Sequence, residues 1–170
     1  MEAYFAGGCF WCMAKPYTDL PGVIETTSGY CGGSEPSPTY EDVKHQLTHH
    51  RETVRIVFDE SLVSFEELLG VYFYNIDPFD DGGQFIDRGR SYTCAVYWAN
   101  DAQRECAETA VARIGAEYGR TVCVSIEPFD VFWPAEDDHQ DYARKNPDAY
   151  RKEYEESGRA AREDHDRVKL

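Results

Sequence analysis

Two glycines, Gly7 and Gly8, stand between a short strand-like run, Tyr4 to Ala6, and a segment of helical character from Phe10 to about Leu20. That junction constrains the fold more than any other feature. A strand that passes straight into a helix must change direction within two residues, which residues lacking side chains do at least cost. Pro16 is expected to bend or shorten this helix, and Pro21-Gly22 to stop it.

The rest of the chain keeps this mixed character. Val23 to Tyr30 reads as extended and leads into a turn-rich stretch, Gly29 to Thr39. Val54, Ile56 and Phe58 alternate with Arg55 and Val57, the pattern of a half-buried strand. Ser64-Phe-Glu-Glu67 has the form of a capping box, opening a helix that carries Leu68, Leu69, Tyr72 and Phe73. A long irregular segment, Asp77 to Ser91, follows, and loops of that length are usually functional. Thr93 to Trp98 is apolar enough for a central strand. From Asp101 an amphipathic helix sets Ala107, Ala110, Val111, Ile114 and Tyr118 on one stripe, and Val122, Val124 and Ile126 alternate as a further strand. Residues from Pro134 onward are polar and are expected to wrap the surface. Strands and helices in this mixed order predict an α/β or α+β layered sandwich. The 170 residues suit one catalytic domain, 1–170, with 150–170 as a surface-wrapping tail.

Charge and composition narrow the function. With 17 basic against 32 acidic residues the formal net charge is -15, which repels phosphate backbones and anionic lipid. Neither nucleic acid nor a membrane is an expected partner. No apolar run approaches a membrane span, and Met1-Glu-Ala-Tyr-Phe-Ala6 has no secretory character. A cytoplasmic monomer is the default. In that reducing setting the six cysteines are core fillers, metal ligands or redox groups rather than a disulfide framework.

Cys9 follows the glycines at or near the first helical position, where free backbone N–H groups and the positive helix end are expected to lower a thiol pKa. The thiolate is the attacking form, so Cys9 is a candidate nucleophile. Phe10 and Trp11 are either ordinary core anchors or an apolar cup beside the thiol, and their neighbours favour the cup for at least one. Cys12 lies one helical turn from Cys9, within disulfide reach. C-x-x-C serves redox or metal chemistry. A zinc site needs two more ligands, for which Cys31, His49 and His50 are available, but no second C-x-x-C exists and no metal is expected.

Gly7-Gly-Cys-Phe-Trp11 is joined by Leu20-Pro-Gly-Val23, Ser28-Gly-Tyr30, Gly32-Gly33, Pro38-Thr-Tyr-Glu41, His50 with Glu52, Asp77-Pro78, Gln84, Asp87, Gly89, Tyr92, Ala135-Glu-Asp-Asp-His-Gln-Asp-Tyr142 and Lys145-Asn-Pro147. In this order the motifs resemble the peptide methionine sulfoxide reductase A family, over residues 3 to 150. The resemblance implies an α+β two-layer sandwich with a ferredoxin-like core, a mixed sheet covered by helices and long loops. It implies reduction of the S-epimer of methionine sulfoxide, free or in oxidised proteins. One reductase type serves each epimer. No cofactor is implied beyond an external reductant such as thioredoxin or dithiothreitol.

The chemistry itself asks for a nucleophile, a proton source near the sulfoxide oxygen and an apolar seat for the methyl group. By resemblance Glu52 is the acid, Tyr40 and Tyr92 donate to the oxygen, Asp87 organises the oxygen site, and Phe10 and Trp11 seat the methyl. A carboxyl serves as an acid near neutrality only if burial raises its pKa. The product on Cys9 is a sulfenic acid. Many relatives carry resolving cysteines in a glycine-rich tail, whereas residues 148–170 contain none. Cys12 is therefore the first choice of resolving thiol, Cys31 on its glycine-flanked loop the second, and an external thiol the third. Cys94, Cys106 and Cys123 are expected to be buried core thiols. Arg51 stands where relatives have a small residue and is expected to act on Glu52. Thr93 replaces a frequent Arg. His139 supports the site at most. Competing readings are a thioredoxin-like disulfide oxidoreductase that needs only the C-x-x-C, a zinc-binding module, and a non-catalytic peptide-binding domain.

Overall fold

The chain leaves a strand, turns at the glycine pair and enters a helix at Phe10, as their placement predicts. The computed structural model describes residues 1–170. In chain order the elements are β1 (Glu2–Ala6), α1 (Phe10–Thr18), β2 (Val23–Cys31), α2 (Tyr40–Lys44), β3 (Arg51–Phe58), α3 (Phe65–Asn75), β4 (Gly83–Gln84), β5 (Asp87–Arg88), β6 (Ala95–Trp98), α4 (Asp101–Tyr118), β7 (Ser125–Pro128), β8 (Trp133–Pro134), α5 (Tyr142–Lys145) and α6 (Pro147–Glu156).

The main sheet has the order β7-β6-β1-β3-β2-β8. Its middle four strands are mutually antiparallel. With α1 and α3 they make the succession β1-α1-β2-β3-α3-β6 in the spatial order β6-β1-β3-β2. That is a ferredoxin-like core, and the expected α+β sandwich is present. The parallel pair β6·β7 makes the sheet mixed.

Side chains alternate across each strand, so the sheet has two distinct faces. On one face Ala3, Phe5, Tyr30, Val54 and Ile56 pack with Tyr17, Leu69, Tyr72, Phe73 and Ile114 of the helices as the principal core. On the other, Tyr4, Ala6, Cys31, Ala95 and Tyr97 form a small cluster under Phe129 and Phe132.

Local signals explain most element boundaries. The Ser64 hydroxyl accepts from the Glu67 N–H while the Glu67 carboxylate accepts from the Ser64 N–H, the capping box read from the sequence. Thr39 and Asp42 make a second one, which starts the unforeseen α2. Helix α1 continues through Pro16 and ends at Thr18.

Several expectations need correction. The run 93–98 yields an interior strand next to the edge strand β7, and the centre belongs to β1 and β3. Val122 and Val124 precede β7, because the Cys123 N–H donates to the Pro78 carbonyl at 2.6 Å instead of joining the sheet. Cys94 is buried, but Cys106 and Cys123 are only half-buried. The tail does more than wrap the surface, since Ser157, Arg159 and Val168 are all buried. No helix is long and apolar enough to cross a membrane.

Candidate active site

Cys9 is the N-cap of α1, and its carbonyl accepts from the Met13 N–H at 3.1 Å. Gly8, at φ +87, permits this turn. A Cβ there would lie 2.7 Å from both the Gln84 Cβ and the Arg159 Nη2, so the backbone just before the thiol is closely packed. Cys9 keeps 7% of its surface exposed and Cys12 5%.

The expectation of a simple helix-end thiolate is corrected here. The Phe10 N–H that opens the helix donates to the Glu52 carboxyl, at 2.9 Å. The neighbouring Cys12 sulfur, burial and the proximity of Glu52 push the Cys9 thiol up, whereas the neighbouring Cys9 sulfur and the charge of Arg159 bring the Cys12 thiol down. The pair therefore behaves as one acid, whose first proton leaves readily and whose second is held.

Glu52 sits on β3 with 2% of its surface exposed. Burial pushes its carboxyl up to about 8, against the Phe10 N–H, which favours the charged form. Near neutral pH it holds a proton. Tyr40, at the start of α2, and Tyr92, at the end of a 3-10 turn, are both pushed up by burial and then by the nearby Glu52, so both phenols stay donors. Asp87, in β5, accepts from Arg159 Nη1 at 3.0 Å.

The aromatic residues form one stack. The Phe10 ring lies 5.9 Å from Tyr30 and 6.1 Å from both Tyr40 and Trp11. Trp11 stacks on Tyr142 at 3.8 Å, and His139 lies 4.2 Å from Tyr40. Phe10 is buried and Trp11 half-buried, so one is anchor and the other wall. A cavity of about 250 Å³ opens along Trp11, Ala14, Ser28, His139 and Tyr142, beside the thiol pair and not over it.

Not every sequence candidate comes to this place. Cys31 belongs to the small cluster on the far face of the sheet, fixed in β2 opposite Arg51. It is neither mobile nor on the Cys9 side. Burial also pushes its thiol up. Arg51 points to that far face too, and donates to Thr93 Oγ1 and Tyr97 Oη at 2.8 Å and to Glu127 at 2.9 Å. Its expected action on Glu52 is not realised, because neighbours on a strand face opposite ways. The unusual Arg51 and Thr93 are instead partners of each other. His49 pairs with Glu35, while His50 accepts from the Gly33 N–H through Nδ1. No three His, Cys, Asp or Glu side chains converge as a metal site.

Other site residues escaped the sequence reading. Glu136 accepts from the Tyr30 hydroxyl and the Tyr40 N–H, both at 2.9 Å, and so fixes α2 against the sheet. The Gln84 side chain is tied to both the N–H and the carbonyl of Asp77 at 2.8 Å, which holds the long loop under Gly8. Both residues lay inside quoted motifs, which was the available signal. Tyr150, Glu153 and Arg159 come from the tail and gave none.

Two thiols on one helical turn, facing a carboxyl that keeps its proton, equip a thiol oxidoreductase that also needs an acid. Similarity to known proteins narrows that class. The family model described as peptide methionine sulfoxide reductase matches residues 1–169, and the chain belongs to that family. It is 46% identical over 150 residues to peptide methionine sulfoxide reductase MsrA of Bacillus licheniformis, covering 87% of this chain and 83% of that protein. It is 45% identical over 161 residues to MsrA 2 of Staphylococcus aureus, covering 94% and 91% respectively. Among solved structures, methionine sulfoxide reductase A of Corynebacterium diphtheriae aligns with a TM-score of 0.78 at 32% identity, over 86% of this chain and 74% of that one. Reduced Mxr1 of Saccharomyces cerevisiae aligns at 0.79 and 25% identity, over 87% and 86%.

Proposed function

We propose that the chain reduces the S-epimer of methionine sulfoxide, free or in oxidised proteins, with Cys9 as nucleophile and Glu52 as acid. The thiol pair shares one negative charge, and the Cys9 sulfur attacks the sulfoxide sulfur in its thiolate form. Glu52, with the Tyr40 and Tyr92 hydroxyls, delivers a proton to the sulfoxide oxygen as negative charge gathers there. The new sulfur–sulfur bond and the substrate's sulfur–oxygen bond both break as the protonated oxygen passes to the Cys9 sulfur, and methionine leaves. The oxygen ends on Cys9 as a sulfenic acid, so methionine sulfur is reduced by two electrons and Cys9 oxidised by two. Cys12, one turn along the same helix, then attacks Cys9. Water leaves and a Cys9–Cys12 disulfide forms. An external dithiol reduces that disulfide and restores both thiols.

The observation that carries this reading is the Glu52 carboxyl, held at 2.9 Å by the Phe10 N–H beside Cys9 and protonated up to about pH 8. Sulfoxide reduction must protonate a departing oxygen, a demand that simple thiol–disulfide exchange does not make. Asp87 organises the oxygen site, and Phe10 with Trp11 seats the substrate methyl. The yeast relative Mxr1 has been solved in complex with Trx2, which supports a thioredoxin-type reductant here. We read the chain as one catalytic domain acting as a cytoplasmic monomer with no resident cofactor.

The test is incubation with separated epimers of a methionine sulfoxide peptide and dithiothreitol. The S-epimer should be consumed and the R-epimer left. Equal use of both, or turnover that survives in Glu52→Gln at the wild-type rate, defeats the assignment.

A further inference from the structure

Arg159 opens a 3-10 turn of the tail, Arg159–Ala161, that packs against the site, and no step of the reaction described above uses it. Its side chain is 5% exposed. Nη1 donates to Asp87 at 3.0 Å, and the guanidinium lies 4.7 Å over the Phe85 ring. Nη2 is buried and has no hydrogen-bond partner. That same atom lies against Gly8, 2.7 Å from where a Cβ would stand, immediately before the nucleophile in the chain. A buried guanidinium donor without an acceptor is costly. Its position points to an acceptor that is present only in some states of the site.

The nearby groups whose ionisation Arg159 favours are the two thiols. Around them stand Glu52 from β3, Asp87 from β5, Tyr40 from α2, Tyr92 from another 3-10 turn, Tyr142 from α5, and Tyr150 and Glu153 from α6. Each of these is neutral or acidic. Of the groups that act most strongly on the two sulfurs, Arg159 alone is a cation. The helix end offers less help than expected, since its first N–H is taken by Glu52.

We propose that Arg159 is a positioning residue of the reductase, whose buried guanidinium, clamped by Asp87 and Phe85, supplies the fixed positive charge that stabilises the thiolate of the Cys9–Cys12 pair. The proposal rests on the function given above and adds the source of the nucleophile's charge. Asp87 thereby gains a second task, since its carboxylate holds the guanidinium in place. The tail becomes part of the site.

The experiment reads thiolate formation without substrate. Ultraviolet absorbance and iodoacetamide alkylation are followed against pH, as differences from the Cys9→Ser, Cys12→Ser double variant. The wild type should ionise its first thiol below the ordinary value of about 8.5. Removing a nearby opposite charge should raise that midpoint by at least about one unit in Arg159→Gln, a tenfold loss of thiolate near neutral pH. Arg159→Lys keeps the charge and should stay near wild type. An unchanged midpoint in a folded Arg159→Gln protein overturns the proposal, even if turnover falls. Should that variant fail to fold, the wild type and Arg159→Lys still decide. A wild-type pair that ionises no earlier than an ordinary thiol overturns it without any variant. Sulfoxide reduction with dithiothreitol is measured on the same samples. A wild type with an early thiolate and no reduction defeats the proposed function and leaves the electrostatic role of Arg159 standing.

Discussion

Arg51 and Glu52 are neighbours on β3, both charged by type and both buried, yet they belong to different worlds. Arg51 faces the small cluster, where Thr93, Tyr97 and Glu127 accept from its guanidinium. Glu52 faces the helices and has a single backbone N–H for its carboxyl. The first is a satisfied charge that joins β3, β6 and β7. The second is a carboxyl that relieves its burial by keeping a proton. Burial alone therefore does not mark a functional residue, whereas burial with too few partners does. The cysteines repeat the contrast. Cys9 and Cys12 share the Glu52 face with an under-partnered Arg159, while Cys31 lies inert on the Arg51 face.

The comparison is broken most severely at Cys9. Cys9→Ser should reduce sulfoxide turnover by about 10^4-fold or more, with thermal unfolding close to wild type. Retained turnover would move the nucleophile elsewhere.

Glu52→Gln comes next, with an expected loss of about 10^2- to 10^4-fold. In the wild type, activity should decline as pH rises through about 8, where the acid loses its proton, and this limb should vanish from the residual activity of the variant. Stability carries the matching sign. Between the ordinary 4.5 and about 8 the folded protein holds a proton that the unfolded chain has released. The contribution is thus full below 4.5 and fades as pH rises to about 8. Glu52→Gln should flatten that slope in denaturant titrations, and a slope of unchanged steepness would place the buried proton on another group.

Arg51→Met sharpens the contrast from the opposite side. It should cost about 3 kcal/mol, because Glu127 and the Tyr97 hydroxyl lose their donor. The kcat of the folded protein should stay near wild type. A large fall in kcat with stability intact would merge the two faces into one site.

The cysteine comparison reads the two faces through recycling, and its Cys31 arm carries the smallest effect. Cys12→Ser should still form one methionine per enzyme in a single turnover but stop recycling through a protein dithiol. Cys31→Ser should recycle normally and cost about 1 kcal/mol of stability. The reverse result would require the sheet to open between its faces.

Much of this molecule was legible in one dimension. The glycine pair, the Ser64 capping box and the Ala107, Ala110 and Ile114 stripe of α4 read correctly because they depend on residues within a few positions of each other, while Tyr118 at the end of that helix is exposed. Cys9, Glu52, Tyr40, Tyr92 and Asp87 stand out in the sequence chiefly through the order of short motifs, and Cys12 through its spacing from Cys9. The failures have identifiable causes. The Cys9 thiol is pushed up by its neighbour Cys12, by burial and by Glu52, and only the fold brings Glu52, 42 residues away, to the Phe10 N–H. Arg51 reads as a neighbour of the acid because adjacency in the chain hides the alternation of strand faces, and Cys31 reads as mobile because of its flanking glycines, although β2 includes it.

What the sequence determined alone was the inventory: a thiol at a strand-to-helix turn, a second thiol one turn later, and the surrounding polar and aromatic groups. Tertiary structure decided which groups share a face, which is charged, and which tail residue packs against Gly8. The physical reason is that local geometry follows from backbone sterics within a few residues. Protonation follows from desolvation and from charges brought together across the whole chain.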